Sequence, residues 1–544
     1  MKNNIKIIFK EDFGWKKISN KEGLIIYKGY LYNNNFSNIL KNIFKIKNKK
    51  KYLNELDGLY AFIIKKNNTI IIGVDKISSI PVFYQIDKNE IVISNKTQLI
   101  QEYKKNFLSK SSLISFFMSG YTIGNSTIYQ NIKMLDAGNF LISDKKNLFK
   151  KLKYYEFSPW NFKTKVNYKL LQKKYHECNL KVFTKIKNYC ENNNLGIAVA
   201  LTAGYDSRLI VAMLNKLKFK NLICFTYGIK NNYEVKAAKK ICKFLNIKHV
   251  YFEINNSKIK KIYKSKNYKK LLQSSEQGLS ILDTTEYVAI NELRKKKIFK
   301  EKVIINGLSG DFISGGHQLE NFLDKSKKYI NQTSDAIVKK HFKLWVGKNE
   351  LINKETIFSL LKNYFKNIKV DIKAKNNFGI IEHFDLYNRQ SKYSLSRQQI
   401  YDYFNIKWLL PHFDSEYLDF WQKIHPEYKT NQKFYDNFLR KKNYQDVWLG
   451  KDWEELRLKR PKPPSLFSYI AIPILKLIFF YDKDKYHYYY TKYFDYFNQT
   501  LAGYGEFDYF TEVINQKNIF RNFISLRVKK HINNIKKNNK IENY

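Results

Sequence analysis

An unbroken apolar segment, Ile197 to Leu201, stops at the small and polar run Thr202-Ala203-Gly204-Tyr205-Asp206-Ser207. Helical spacing follows at once, with apolar residues at positions 209, 210, 213 and 217. A continuous apolar strand that leads directly into a helix is typical of a parallel sheet covered on both faces. This feature constrains the fold most, because such a strand needs further strands beside it and helices above and below it.

Further strands of the same kind follow along the chain. Apolar segments at 222–225, 249–252 and 303–305 are separated by stretches with helical spacing. The sequence therefore predicts an α/β domain with a parallel sheet. Beyond residue 320 the pattern is mostly helical.

The first 160 residues have a different pattern. Short β-branched or aromatic runs at 63–64, 70–72, 82–84 and 91–93 are separated by turn residues. Such runs indicate strands and hairpins. We predict an antiparallel, strand-rich domain there.

The segment from Ser465 to Tyr481 is apolar apart from Lys476 and contains Pro473. It is shorter than the ~20 residues of a membrane-spanning helix. We predict a buried core helix, and a helix on a membrane surface is the alternative.

The chain has 544 residues and a formal net charge of +50. Its apolar fraction of 44% excludes intrinsic disorder. Of 98 basic residues only nine are arginines, which leaves 89 lysines. Because arginine is the residue that reads bases and clamps phosphates, the charge favours a lysine-rich solvated surface over nucleic-acid binding. An anionic membrane surface, in particular for the basic segment 521–540, is the alternative.

Four cysteines in so long a chain do not form a disulfide scaffold, and none lies in a C-x-x-C pair. The apolar run near the amino terminus is broken by Lys6 and ends at Lys10, too short for a signal peptide. We therefore expect a cytoplasmic protein, with peripheral membrane contact as the alternative.

The run from Thr202 to Ser207 has the chemistry of an anion site. Small residues let the backbone approach a ligand, and a helix N-terminus offers free N–H groups. Ser207 is a candidate helix cap, and Asp206 beside a polyphosphate is a candidate Mg²⁺ ligand. An ordinary strand-to-helix turn uses the same residue types. The G-x-x-x-x-G-K-[ST] and G-x-G-x-x-G fingerprints are both absent from the chain.

A second loop follows the strand at 303–305, with four glycines in the twelve residues from Asn306 to His317. In a doubly wound sheet, ligands bind beyond the carboxyl ends of the strands. We therefore expect this loop to lie beside the first, with Asp206 and Asp311 close enough to share one metal ion.

These loops resemble the pyrophosphate loop and the glycine-rich metal loop of the asparagine synthetase family. The resemblance extends over about residues 50–465. Its other motifs are Asp57-Gly58-Leu59-Tyr60-Ala61-Phe62, Asp75, Ile80-Pro81-Val82-Phe83-Tyr84, Ser94, Asp136-Ala137-Gly138, Tyr154-Tyr155, Leu410-Pro411-His412-Phe413-Asp414, Leu439-Arg440 and Arg460-Pro461-Lys462.

The resemblance implies a fold of two parts and an extension. Residues 1–160 would form an Ntn-hydrolase-like, glutamine amidotransferase-like antiparallel sandwich. Residues 165–465 would form an α/β PP-loop synthetase domain with a parallel sheet, and residues 466–544 a helical, basic C-terminal extension.

The resemblance also implies a reaction. A substrate carboxylate attacks ATP to give an acyl-adenylate and pyrophosphate, and ammonia or an amine then displaces AMP to form an amide. The implied cofactors are ATP and Mg²⁺, the implied metal ligands are Asp206 and Asp311, and the implied catalytic residues are Lys462 and Asp311. The implied ATP- and pyrophosphate-binding residues are Leu201, Thr202, Ala203, Gly204, Asp206, Ser207, Arg208, Tyr227, Asn306 and Gly307. For Arg208, a solvated surface position is the alternative.

The sequence departs from the family pattern at three places. Family glutaminase domains use an N-terminal cysteine, whereas residue 2 is Lys2 and the first cysteine is Cys178. We expect an inactive glutaminase domain. Leu308 and Lys407 stand where asparagine synthetase has glutamates that handle the second substrate, which argues against aspartate as acceptor. The Tyr-Asp-Ser-Arg and Gly-Asp-x-x-x-Gly-Gly-His loops resemble those of asparagine-synthase-like proteins associated with bacterial surface polysaccharide pathways, where a sugar uronate can be amidated. This resemblance implies a sugar uronate as a candidate substrate.

The departures leave two other functions open. One is a non-catalytic relative that binds a nucleotide or a partner. The other is adenylation of a tRNA base, against which the scarcity of arginine and the N-terminal domain count.

Overall fold

The computed structural model of the chain describes residues 4–87, 90–143, 149–162, 167–228, 230, 232–254, 256–317, 330–345, 348–368, 370, 377–450, 453, 466–490, 506–507 and 523–539. The strands are β1 (Asn4–Ile8), β2 (Lys16–Asn20), β3 (Gly23–Leu31), β4 (Gly58–Lys66), β5 (Thr69–Val74), β6 (Phe83–Ile86), β7 (Glu90–Ser94), β8 (Lys133–Met134), β9 (Asn139–Ser143), β10 (Phe149–Lys153), β11 (Gly196–Ala200), β12 (Leu222–Gly228), β13 (Lys248–Glu253), β14 (Lys302–Ile305) and β15 (Lys407–Leu409).

The helices are α1 (Phe36–Asn42), α2 (Lys49–Glu55), α3 (Thr97–Tyr103), α4 (Lys110–Ser119), α5 (Tyr168–Asn192), α6 (Tyr205–Lys216), α7 (Tyr233–Phe244), α8 (Asn256–Tyr263), α9 (Lys266–Ser274), α10 (Tyr287–Lys295), α11 (Gly310–Ile313), α12 (Ile330–His341), α13 (Lys348–Ile368), α14 (Asn377–Phe384), α15 (Gln398–Tyr403), α16 (Ser415–Trp421), α17 (Pro426–Lys429), α18 (Lys433–Lys442), α19 (Leu466–Ile478), α20 (Lys483–Tyr490) and α21 (Phe523–Asn538). A π-helical segment, Asp385–Ser394, continues α14.

The amino-terminal part is a sandwich of two sheets. One has the order β1-β7-β6-β8 and the other the order β10-β9-β5-β4-β3-β2. Ile63 and Ile72 of the larger sheet share one apolar core with Ile91 and Ile93 of the smaller sheet. The predicted antiparallel arrangement holds for every strand pair of the sandwich except one, because β1 runs parallel to β7. The prediction of an antiparallel domain is therefore corrected for the edge strand β1.

The second part contains a five-stranded sheet of order β13-β12-β11-β14-β15, in which all neighbouring strands are parallel. Ile197 of β11 pairs with Leu222 on one side and with Val303 on the other. The predicted parallel sheet is confirmed. Its fifth strand, β15, falls in the region that was predicted to be mostly helical, because three residues are too few to show a periodicity.

Strand order in this sheet reverses at its centre. The chain goes from β11 outward to β12 and β13, then returns to place β14 and β15 on the other side of β11. Ligands of doubly wound sheets bind beside the carboxyl ends of the strands at such a switch point. The two loops singled out in the sequence follow β11 and β14, and both therefore begin there.

Buried charges join the sandwich to the second part. Lys28 of β3 forms an ion pair of 2.5 Å with Asp402 of α15, and both side chains are about nine-tenths buried. Lys185 of α5 contacts Asp57 at 2.6 Å and Asp414 at 2.8 Å. These contacts fix the sandwich against the edge of the parallel sheet.

Helix α19 differs from its prediction as a buried core helix. Ile474 is 50% exposed and Leu477 is 74% exposed, so one side of the helix lies on the surface. That prediction was wrong. Among the helices of the described residues, none has both the length and the apolar character needed to cross a bilayer.

Candidate active site at the carboxyl ends of β11 and β14

The first loop, residues 202–207, turns sharply between β11 and α6. The Gly204 amide donates to Thr202 Oγ1 at 3.1 Å, and the Thr202 amide donates to Ser207 Oγ at 3.2 Å. Gly204 itself is the N-cap residue of α6, without a side-chain cap. The expected capping role of Ser207 is therefore corrected, because its hydroxyl accepts from the Thr202 amide and no side chain caps α6.

Arg208 is buried, contrary to both expectations for it. Its side chain has no exposed surface, so the solvated alternative is wrong. The guanidinium donates to the carbonyl oxygens of Ala203 and Val447, each at 2.9 Å. A buried guanidinium occupied by backbone carbonyls supports the loop from behind, and we correct its assignment from phosphate contact to loop support.

The second loop, residues 306–317, begins directly after β14. The Leu308 amide donates to Asn306 Oδ1 at 3.2 Å, which makes a tight turn. Its glycines press against the first loop. A Cβ on Gly307 would lie 2.9 Å from the Ser207 backbone nitrogen, and a Cβ on Gly310 would lie 2.5 Å from Asp206 Oδ1. The predicted side-by-side placement of the two loops is confirmed, and glycine is needed there because no side chain fits.

Asp206 and Asp311 stand at this junction. Tyr435 Oη donates to Asp206 Oδ1 at 2.8 Å, and the Phe312 amide donates to Asp311 Oδ1 at 2.8 Å. Asp311 keeps 56% of its side chain exposed. Asp206 lies in the first turn of α6, and Asp311 directly follows Gly310, which packs against Asp206. Carboxylate oxygens are the donors that Mg²⁺ prefers.

Asp311 is held by an ion pair that sequence reasoning did not identify as part of the site. His317 Nε2 lies 3.2 Å from Asp311 Oδ2, and His317 Nδ1 lies 3.2 Å from Asp385 Oδ2. Partial desolvation of the Asp311 carboxyl group by the surrounding protein acts to raise its pKa, but the hydrogen bond and charge of His317 outweigh this effect and lower that pKa. Two carboxylates likewise outweigh burial and raise the pKa of His317. Asp311 is thus kept ionised.

Asp385 anchors this arrangement from the π-helical segment. Lys340 Nζ contacts its Oδ2 at 2.9 Å, and Gln390 Nε2 donates to its Oδ1 at 2.9 Å. Burial would raise the pKa of Asp385, but the Lys340 charge and its other partners hold it well below its ordinary value. Gln390 also accepts from Ser309 Oγ at 2.7 Å, which ties the second loop to the same group.

A second buried network lies behind Asn306. Its side-chain amide donates to Tyr401 Oη at 3.1 Å, and Tyr401 in turn donates to Glu286. Arg397 contacts Glu286 at 3.3 Å and Asp283 at 2.5 Å. This network fixes the orientation of Asn306. Tyr401 and Glu286 carried no local signal in the sequence, because Tyr401 is 95 residues from Asn306 and 115 residues from Glu286.

The remaining predicted site residues differ in where they lie relative to the carboxyl ends of the strands. Leu201 is buried at the end of β11, where its carbonyl accepts from Thr226 Oγ1 at 2.8 Å. Tyr227 lies near the end of β12 and is half-buried. Leu308 is half-buried within the second loop. Lys462 lies outside the described residues.

Lys407 is not at this edge. It is exposed and begins β15, paired with Val303 near the start of β14. In a parallel sheet the strand starts face away from the carboxyl ends. The interpretation of Lys407 as the replacement of a substrate-handling glutamate is therefore corrected.

Within the described ranges, no group of three or more His, Cys, Asp or Glu side chains is arranged to hold a metal ion. Asp206 and Asp311 supply two carboxylates. A site with two protein carboxylates fits Mg²⁺ that takes its remaining ligands from phosphates and water, as is common at nucleotide sites.

Comparisons with known proteins agree with the position of these loops. A glutamine amidotransferase domain model matches residues 19–155, and an asparagine synthase model matches residues 193–445, which contain both loops. The chain belongs to the asparagine synthetase family. Its sandwich and its parallel-sheet part correspond to the two family models in the order in which they occur.

A protein named asparagine synthetase 2, glutamine-hydrolyzing, from Methanocaldococcus jannaschii is 21% identical over 359 residues. That match covers 60% of this chain and 65% of the relative. Among solved structures, an NH3-dependent NAD synthetase from Campylobacter jejuni shares 16% identity, covering 38% of this chain and 99% of that chain with a TM-score of 0.21. A glutamine phosphoribosylpyrophosphate amidotransferase from B. subtilis shares 12%, covering 53% and 63% with a TM-score of 0.18.

Proposed function

We propose that this family member is an ATP-dependent, AMP-forming carbon–nitrogen ligase that adenylates a carboxylate and forms an amide with ammonia or an amine. The observation that supports it most is the contact of the two loops at the switch point of the sheet. There Asp206, in the first turn of α6, lies against the glycine-rich loop that carries Asp311. An anion-binding helix end beside two carboxylates suits a metal–polyphosphate ligand.

Asp206 and Asp311 would hold Mg²⁺, which when bound would neutralise phosphate charge as a Lewis acid. The backbone of residues 202–207 would bind the phosphates, with Arg208 fixing the loop from behind. His317 would keep Asp311 ionised and oriented. Asn306 and Gly307 would contact the nucleotide beside Leu201 and Tyr227.

Lys462 is proposed to stabilise the negative charge that develops as the carboxylate attacks the α-phosphate. A positive group aimed at developing charge is among the larger contributions that an enzyme makes to rate. Lys462→Met is expected to reduce turnover much more than nucleotide affinity.

The acceptor is proposed to be an acid other than aspartate. Leu308 puts an apolar side chain into the second loop, where asparagine synthetase has a glutamate. A sugar uronate of a surface polysaccharide is our candidate. The amine source is proposed to be free ammonia or a substrate amine, because the first 177 residues contain no cysteine to act as glutaminase nucleophile. Release of ammonia from glutamine by the purified protein would contradict this part.

The decisive experiment is a screen for Mg²⁺-dependent pyrophosphate release from ATP. Amino acids and nucleotide-linked uronic acids are offered as carboxylates, with ammonia or hydroxylamine as acceptor. We expect AMP and pyrophosphate with at least one acid, and no turnover after Asp206→Ala or Asp311→Ala. Asp335→Ala, on an exposed ion pair with Lys354, is the matched control and should stay active. ADP as the product would overturn the mechanism.

A non-catalytic relative that binds nucleotide is the second candidate, and Leu308 favours it. Removal of a carboxylate from the second loop leaves the phosphate contacts unchanged but weakens the handling of a second substrate. ATP binding that depends on Asp206, without turnover across the whole screen, would support this candidate instead.

A further inference from the structure

Helix α19 exposes one continuous apolar face. Positions 470, 474, 477 and 481 recur every third or fourth residue, and 478 follows 474 by four, so these exposed apolar residues lie in a single stripe. They are Ile470, Ile474, Leu477, Ile478 and, just past the helix, Tyr481, with exposures of 65, 50, 74, 66 and 97%. Monomeric proteins rarely leave so many neighbouring apolar side chains in water, and such patches mark binding surfaces.

The opposite side of α19 packs on the protein. Ile472, Leu475 and Phe479 are half-buried there, and the Phe479 ring stacks on Tyr489 of α20 with 5.0 Å between centroids. Tyr488, beside it, is buried in a core cluster that includes Phe523 of α21. The helix is therefore attached by one face and open on the other. A helix that is apolar on both faces needs apolar surroundings on both.

We infer that this open face docks on an anionic membrane surface. The protein has a net charge of +50, so two copies placed face to face would repel each other, whereas an anionic bilayer attracts it. Residues 466–478 contain no acidic residue, and Lys476 is exposed on the helix. A lysine at this position can place its ammonium among lipid headgroups while its neighbours enter the acyl boundary.

Helix α21 adds positive charge elsewhere on the surface. Lys530, Lys536 and Lys537 are exposed and line one groove of that helix together with Asn533 and Asn534. Lysines of this kind are attracted to an anionic leaflet over about a Debye length and contribute without insertion. The chain thus offers an exposed apolar face on α19 for insertion and exposed positive charge on α21 for electrostatic attraction. This inference does not rest on the proposed ligase activity.

The test is flotation of the full-length protein with vesicles. One set contains phosphatidylcholine mixed with phosphatidylglycerol, and the other phosphatidylcholine alone. We expect binding to the mixed vesicles that weakens as salt is raised. Ile474→Glu combined with Leu477→Glu should reduce the bound fraction about tenfold or more, because it places two carboxylates on the docking face.

The matched control is Ile86→Glu combined with Phe107→Glu. These two apolar residues of the sandwich part are 51% and 52% exposed, so the control makes the same chemical change away from α19. It should bind like the unchanged protein, and unfolding temperatures should show both variants to be folded. Failure of the unchanged protein to bind mixed vesicles would overturn the inference. So would equal loss in the control, or a dimer that the α19 variant dissociates in sedimentation equilibrium.

Discussion

Gly310 lies so close to Asp206 that a Cβ at this position would stand 2.5 Å from the Asp206 Oδ1. No carbon can occupy that position without displacing the carboxylate. The two loops can therefore pack this closely only because residue 310 has no side chain. The position of Asp206, the proposed metal ligand, therefore depends on a glycine far along the chain.

Gly310→Ala should consequently impair the site more than the fold. The methyl group must push Asp206 aside, and a misplacement of about 1 Å can cost about 100-fold in rate. We expect this loss in Mg²⁺-dependent pyrophosphate release, together with weaker binding of ATP–Mg²⁺ in calorimetry. Asp335→Ala is the control, because it removes only an exposed ion pair with Lys354 and changes no residue of the two loops. Unchanged ATP–Mg²⁺ affinity in Gly310→Ala would contradict a role for Asp206 as metal ligand.

Arg208 offers a test that separates loop support from ligand contact. Arg208→Lys keeps the charge, but an ammonium cannot span the carbonyls of Ala203 and Val447. Because buried carbonyls then lose a donor, we expect about 2 to 3 kcal/mol less stability, measured by denaturant unfolding, along with weaker ATP binding. The exposed Arg294→Lys is the control. Loss of ATP affinity with full stability would instead identify Arg208 as a phosphate ligand.

The sequence predicted the structure most accurately where the signal lies within a short stretch of the chain. The strand before Thr202 and the glycines after Asn306 carry their own signals, since apolar continuity and glycine clustering are visible within a dozen residues. The place of the two loops follows from the topology of a parallel sheet. Those parts of the site could be predicted from the sequence alone.

The features of the site that could not be predicted depend on contacts between residues that are far apart in the sequence. A sequence does not show whether an arginine such as Arg208 faces water or two carbonyls, because Val447 lies 239 positions away. Tyr435 and Asp385 reach the two loops from the helical region, where the pattern gave little information. The exposure of α19 was missed for a related reason: apolar composition predicts that a helix needs apolar contact but not whether the protein supplies it.

The ion pair between Lys28 and Asp402 is expected to hold the sandwich against the second part. Lys28→Met leaves Asp402 buried without its partner, and breaking a buried pair costs about 3 to 5 kcal/mol. Calorimetry should show a lower unfolding temperature, with a separate transition for the sandwich. The double variant Lys28→Met/Asp402→Leu removes both charges and should recover much of the loss. A double variant as unstable as the single one would show that the pair contributes little.

His531 and Glu276 predict a dependence of stability on pH. They form a mostly buried ion pair between α21 and the segment after α9. Burial alone would lower the pKa of His531, but the charge of Glu276 outweighs it and raises that pKa above 6.5. The pKa of Glu276 is lowered below 4.5, because His531 outweighs the opposing effect of burial. The stabilisation by His531 is therefore fully present below about pH 6.5 and is lost as the pH rises through its folded pKa. The stabilisation by Glu276 is lost as the pH falls through its own folded pKa.

His531→Gln should therefore destabilise the protein by about 3 kcal/mol near pH 6 and by less near pH 9, measured by denaturant unfolding at both pH values. The control is His383→Gln. Burial lowers the pKa of His383 to about 3, so this residue is neutral at both pH values and its replacement should cost the same at each. The pH dependence belongs to the ion pair only if it is absent from the His383 variant. An equal cost of His531→Gln at both pH values would mean that the charge of His531 does not change between them.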